Sequence, residues 1–301
     1  MKTSEINIRD PYIMVHQDRY YMYGTRSETC WETADGFDCF VSENLEDWEG
    51  PFEIFRRPEG FFADRNYWAP ECYCYKEAFY LVTTFGCESQ KKGIYILKAK
   101  APTGPFEIYS GRLTPDDWSC IDGTLYFDNE IPYLVFSHSF EDHPDGDMCY
   151  IELSQDLKTS KSKPELMFSA AEADWARPVP VAEAEFGMKG DVYFTDGPCL
   201  MKMEDGRLYM TWSSWSNHGY AVGAALSASG TISGPWRQQK KAVYPENGGH
   251  GMLFRNRDGK LKFTLHFPND KYQERPQFVD VKIEDGLFLL EEEKKKDGNE
   301  V

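Results

Sequence analysis

Three aspartates, Asp10, Asp122 and Asp196, lie far apart in the chain, yet each stands at or beside the start of a segment of the same build. A fourth segment of that build opens on His250, and the remaining one on Trp68 and Glu71. If equivalent positions of a repeat converge in space, these carboxylates become neighbours. Like charges brought together disfavour the ionised form, so one carboxyl can hold a proton near neutrality while another stays charged. Cleavage of a glycosidic bond requires that separation of acid from base. A single aspartate at a strand start is an ordinary turn residue; three at one repeat position favour a carboxylate site.

The elements that must position them are hairpins. Asn7 to Met14 runs through a turn at Gln17-Asp18-Arg19 into Tyr20 to Gly24, both arms being rich in β-branched and aromatic residues. The layout returns at Trp68–Tyr75 with Ala78–Thr83, at Ile121–Phe127 with Pro132–Ser137, at Thr195–Lys202 with Arg207–Trp212, and at Gly249–Phe254 with Lys260–Leu265. Copies recur about every 50 to 75 residues, the period of propeller blades with long loops. Gly-Pro-aromatic turns at Gly50-Pro51-Phe52, Gly104-Pro105-Phe106 and Gly234-Pro235-Trp236 are expected before outer strands. The pattern predicts an all-β, five-bladed β-propeller with a central pocket, one domain over residues 1–290 and a charged tail over 291–301. The lead-in to the fourth unit, Glu165 to Phe194, is long enough to be functional and is expected to border the pocket mouth with a short helix.

Composition narrows the partners. With a formal net charge of -17, the chain is a poor match for nucleic acid, which needs clustered Lys and Arg. It has no apolar run of the roughly 18 residues that a membrane-spanning helix takes, and no leader pattern at its N-terminus, so a cytoplasmic location is expected. The 8 cysteines are scattered without a Cys-x-x-Cys pair and are expected to be reduced thiols. Aromatic residues make up 15% of the chain, enough for blade packing and for stacking on sugar rings. Trp68 reads equally as a hydrophobic plug or as a sugar platform. Phosphate-loop, dinucleotide, zinc-protease and serine-elbow motifs are absent from the sequence.

Taken in order, Arg9-Asp10-Pro11, Trp68-Ala69-Pro70-Glu71, Ile121-Asp122-Gly123-Thr124-Leu125-Tyr126-Phe127, Asp196-Gly197-Pro198 and Gly249-His250-Gly251 resemble glycoside hydrolase family 43 along nearly the whole chain. The resemblance implies inverting hydrolysis of arabinosides, xylosides or related galactosides, so the partner expected is a carbohydrate substrate. By motif, Asp10 would be the general base, Asp122 would tune and orient the acid, and Asp196 would take the place of the general acid. His250 would match the histidine associated with a central calcium ion or water cluster, and Arg275 a substrate-contacting arginine. The chain departs from the family at Asp196, where glutamate is usual. The side chain is one methylene shorter, a loss of roughly 1.5 Å of reach, which makes Glu183 and Glu185 of the long lead-in rival acids. Glycoside phosphorolysis and sugar binding without turnover are the competing functions.

Overall fold

The computed structural model describes residues 1–284 and 286–290; the tail expected over 291–301 lies outside the described residues. Among the described residues twenty strands form five four-stranded antiparallel sheets, each built from consecutive strands. The first blade is β1 (Ile8–His16), β2 (Arg19–Arg26), β3 (Gly36–Ser42) and β4 (Trp48–Arg56); the second is β5 (Arg65–Tyr75), β6 (Ala78–Cys87), β7 (Gln90–Ala99) and β8 (Glu107–Ile108). The third is β9 (Cys120–Asp128), β10 (Ile131–His138), β11 (Asp147–Glu152) and β12 (Glu165–Ser169). The fourth is β13 (Asp196–Lys202), β14 (Leu208–Ser216), β15 (Gly219–Ser227) and β16 (Trp236–Gln238), and the fifth is β17 (Gly249–Arg255), β18 (Leu261–Phe267), β19 (Arg275–Glu284) and β20 (Leu287–Leu290). The first strands touch one another in the cycle β1, β5, β9, β13, β17 and back to β1, which closes a five-bladed β-propeller.

Packing follows from the radial arrangement. A blade is covered on both faces by its neighbours, so its middle strands read as continuous apolar runs; β6 is buried from Phe79 to Gly86. The apolar clusters lie between blades. One joins Tyr23, Phe37 and Phe55 to Phe85 and Tyr95, and another joins Met22 and Trp48 to Phe263 and Phe288. Gly104-Pro105 and Gly234-Pro235 precede β8 and β16 as expected, whereas Gly50-Pro51 lies inside β4, whose edge pairing begins earlier. The long lead-in contains the short helix α1 (Ala182–Phe186). It has an apolar cluster of its own, Val179, Ala182 and Val192, packed with Phe140, Phe194 and Trp215.

Every innermost strand bends at one repeated place. Pairing with the second strand shifts between Arg9 and Tyr12, Trp68 and Glu71, Asp196 and Cys199, and Gly249 and Met252, and in the third blade opposite Val135 to Ser137. At each shift one residue has positive φ: Asp10 (54°), Ala69 (44°), Asp122 (57°), Gly197 (50°) and His250 (48°). Left-handed backbone costs a non-glycine residue roughly 1–2 kcal/mol, and bulges of this kind re-aim side chains beside active sites. The next residue is always Pro or Gly: Pro11, Pro70, Gly123, Pro198 and Gly251.

Candidate active site

The bulges turn their residues into the mouth of the ring. Asp10, Asp122 and His250 occupy the same repeat position in three blades. Asp196 stands one residue earlier, level with Arg9, Trp68, Ile121 and Gly249, because Gly197 takes the left-handed position of its blade. Only glycine fits at 197: a Cβ there would meet His250 Cγ at 2.8 Å.

The side chains converge on one nitrogen. His250 Nδ1 lies 3.0 Å from Asp196 Oδ1, 3.4 Å from Asp10 Oδ1 and 3.7 Å from Asp122 Oδ2. Burial opposes a charge on His250, but the three carboxylates outweigh it and raise its pKa to about 10, making the ring an imidazolium at neutral pH. Burial and the neighbouring Asp196 charge push Asp122 well above the usual carboxylate range. Burial would do the same to Asp196. The hydrogen bond from Asp122, the His250 charge and the Tyr220 hydroxyl, which donates to Asp196 Oδ2 at 2.5 Å, hold Asp196 below that range instead. The Asp122–Asp196 pair therefore carries its proton on Asp122.

Asp10 is oriented by two further side chains. Thr25 Oγ1 donates to Asp10 Oδ2 at 2.6 Å, and the Asp10 amide donates to His266 Nδ1 at 3.2 Å. Since Nδ1 accepts, the His266 proton sits on Nε2, facing Asn269 Oδ1 at 3.2 Å. Burial, helped by the Arg9 charge, lowers the His266 pKa to about 3 and keeps the ring neutral.

Thr25 and His266 belong to a set. Across from Arg9, Trp68, Ile121, Asp196 and Gly249, the second strands place Thr25, Thr84, Ser137, Ser213 and His266. Four of these accept the bulge amide of the next blade: Thr25 from Ala69 (2.8 Å), Thr84 from Asp122 (3.0 Å), Ser213 from His250 (2.9 Å) and His266 from Asp10 (3.2 Å). The exception is the interface that leads to Asp196. There Ser137 donates to the Thr195 carbonyl at 2.6 Å, and the Gly197 amide turns to Asp122 Oδ2 at 3.3 Å. Sequence reasoning missed these residues, although a hydroxyl or imidazole recurs at the same place on the second arm of every hairpin.

The cavity above the carboxylates has a volume of about 960 Å³ and is bordered by Asp10, Asp122, Asp196 and His250. Trp68 lines one wall, its indole N–H donating to the Cys30 carbonyl at 2.7 Å. Trp31, 53% exposed and not foreseen from the sequence, stands edge-on to it at 5.4 Å. The long lead-in borders the cavity with Val179, Val181, Glu185, Phe186 and Phe194; Glu183 is exposed and does not line it. Glu71 does not line it either: it is buried against the Tyr73 hydroxyl, and burial pushes its carboxyl up to about 7. Arg275 is a correction to the expected site. Its guanidinium donates to the Ser4 carbonyl at 3.0 Å and the Glu274 carbonyl at 2.8 Å, away from the cavity, because β19 presents it to the N-terminal segment. The arginine beside the carboxylates is Arg9, paired with buried Glu274 at 2.8 Å.

Asp122, Asp196 and His250 bring one donor atom each within 4.8 Å of one another. Two carboxylate oxygens and a nitrogen fall well short of the six to eight oxygens that calcium takes, and the imidazolium already balances the carboxylates. The trio does not fit a calcium cage built by protein ligands, and none of the chemistry below passes through a metal.

The family model "Glycosyl hydrolases family 43" matches residues 4–281. The chain belongs to glycoside hydrolase family 43. An endo-arabinase from Bacteroides thetaiotaomicron is 33% identical, with a TM-score of 0.86 over 95% of this chain and 98% of that one. An endo-1,4-beta-xylanase from the same organism is 25% identical, with a TM-score of 0.73 over 97% and 96%. A thermostable family-43 glycoside hydrolase, 24% identical, shares the fold with a TM-score of 0.79 over 95% and 93%. No curated protein sequence matches. Family membership and these likenesses support a glycoside hydrolase acting on carbohydrate. Among the described residues no helix is long and apolar enough to cross a membrane.

Proposed function

We propose that the protein hydrolyses arabinan-type or xylan-type oligosaccharides with inversion at the anomeric carbon. The observation that carries this reading is the convergence of Asp10, Asp122 and Asp196 on the His250 imidazolium at the floor of an aromatic-walled cavity. Asp10 is the general base: Thr25 and His266 hold it, and its Oδ1 takes a proton from water as that water attacks C1. A single displacement by water inverts the centre. Asp122 holds the proton of its pair with Asp196, and Asp196, with Tyr220, fixes the charge beneath the sugar. The likeness to the endo-arabinase supports arabinan-type chains as the first substrate to try and the likeness to the xylanase supports xylan-type chains as the second.

Phosphorolysis would need a free cation for phosphate. The basic residues around the cavity are all ion-paired: Arg9 with Glu274, Arg65 with Asp64 and Glu88, Lys91 with Asp142, Lys92 with Glu141 and Lys271 with Glu32. Water is the better acceptor. Binding without turnover is the second reading, since Asp196 stands where a longer glutamate is usual and its Oδ2 is held by the Tyr220 hydroxyl. The deciding experiment follows arabino- and xylo-oligosaccharides by NMR with and without phosphate. Release of the inverted anomer independently of phosphate supports hydrolysis; a phosphate requirement, a retained anomer, or binding with no product overturns it.

A further inference from the structure

We propose that Glu185, carried on the short helix at the cavity mouth, donates the proton to the leaving glycosidic oxygen in place of Asp196. The inference rests on the hydrolase reading above and names its acid.

Asp196 is badly placed for that task. Its Oδ2 accepts the Tyr220 hydroxyl at 2.5 Å and its Oδ1 faces the imidazolium at 3.0 Å, so neither oxygen carries a proton to give. Asp10 Oδ1 lies 3.4 Å from the same nitrogen. Two oxygens so close to one atom cannot span the upper part of the roughly 6.5–9.5 Å that separates base from acid when water must fit between them.

Three glutamates line the cavity: Glu32, Glu141 and Glu185. Glu141 is held by Lys92 at 2.8 Å and by the Ser119 hydroxyl at 2.7 Å. Glu32 pairs with Lys271 at 3.8 Å. Glu185 makes no ion pair among the described residues, and its backbone is fixed by the bond from its amide to the Val181 carbonyl at 2.9 Å. Its neighbour Phe186 stacks edge-on against Phe140 at 5.0 Å, and Val181 also faces the cavity. In the step itself the Glu185 O–H proton passes to the glycosidic oxygen as the C1–O bond breaks, and water, losing a proton to Asp10, bonds to C1. The Glu185 carboxylate then takes a proton from solvent and Asp10 returns one.

The test compares Glu185→Gln, Glu183→Gln and wild type on arabino- and xylo-oligosaccharides and on the matching 2,4-dinitrophenyl glycosides, whose leaving group departs without protonation. The expected result is a loss of about 10²–10⁴ in kcat/KM on oligosaccharides for Glu185→Gln, with less than about tenfold on the dinitrophenyl substrates and unchanged Glu183→Gln. Undiminished oligosaccharide cleavage by Glu185→Gln overturns the proposal and leaves the hydrolase reading standing. Equal losses on both substrates also overturn it, making Glu185 a sugar-positioning residue. A wild type that cleaves nothing in the panel removes the hydrolase reading and the proposal with it.

Discussion

Asp10 and His250 carry opposite charges whose balance shapes the site. Asp10→Asn keeps the hydrogen bond from Thr25 but removes the proton acceptor, so turnover should drop by about 10²–10⁴ while sugar binding is kept; steady-state kinetics beside titration calorimetry checks both. His250 makes a second prediction through linkage. Its folded pKa of about 10 lies above the ordinary histidine value, so the stability it contributes is complete below about pH 6.5 and is lost as pH rises through 10. The melting temperature of wild type should fall across that window more steeply than that of His250→Gln. Parallel curves would mean that His250 is neutral and that the carboxylates balance one another.

At the scale of the element, the recurrent bulge is the device that turns five ordinary hairpins into a site. It needs a left-handed residue and leaves an amide for the neighbouring blade to satisfy. Thr84 does this for Asp122 at 3.0 Å, fully buried. Thr84→Val keeps the shape and removes the acceptor, leaving a buried N–H unpaired at a cost of about 1–3 kcal/mol. Urea denaturation should show that loss, together with reduced turnover as Asp122 loses its aim. A stability loss with full activity would separate the stitch from the chemistry.

Closure of the ring is a property of the whole molecule. Among the described residues each blade is built from consecutive strands, and side chains join the ends: Arg9 pairs with Glu274, Ser27 donates to Glu274 at 2.6 Å, Asn7 reaches the Glu274 carbonyl at 2.8 Å and Arg275 the Ser4 carbonyl at 3.0 Å. Glu274 is fully buried. Removing one partner of a buried pair leaves an uncompensated charge and costs about 3–5 kcal/mol. Glu274→Ala should therefore unfold at markedly lower urea than wild type, whereas Arg275→Ala, whose guanidinium makes one exposed and one part-buried bond to carbonyls, should change stability less and leave KM untouched. A raised KM in Arg275→Ala would return that residue to the substrate site.

Much of this protein was written in its local pattern. Hairpins of aromatic and β-branched residues, repeated five times with a Pro or Gly after each bulge, specify blades because strand periodicity and turn chemistry act over a few residues. The same repeat marks Asp10, Asp122, Asp196 and His250 as neighbours. Tertiary structure decided what depends on contacts between blades. It put Asp196 one position out of step, against Tyr220 and the imidazolium, and it made His250 a cation, since the aspartates that converge on it outweigh its burial. It sent Arg275 to the ring closure and brought Trp31 and Glu185 to the cavity. Loops from different blades meet there without any periodic signal, because their positions are set by the ring and not by their own sequence.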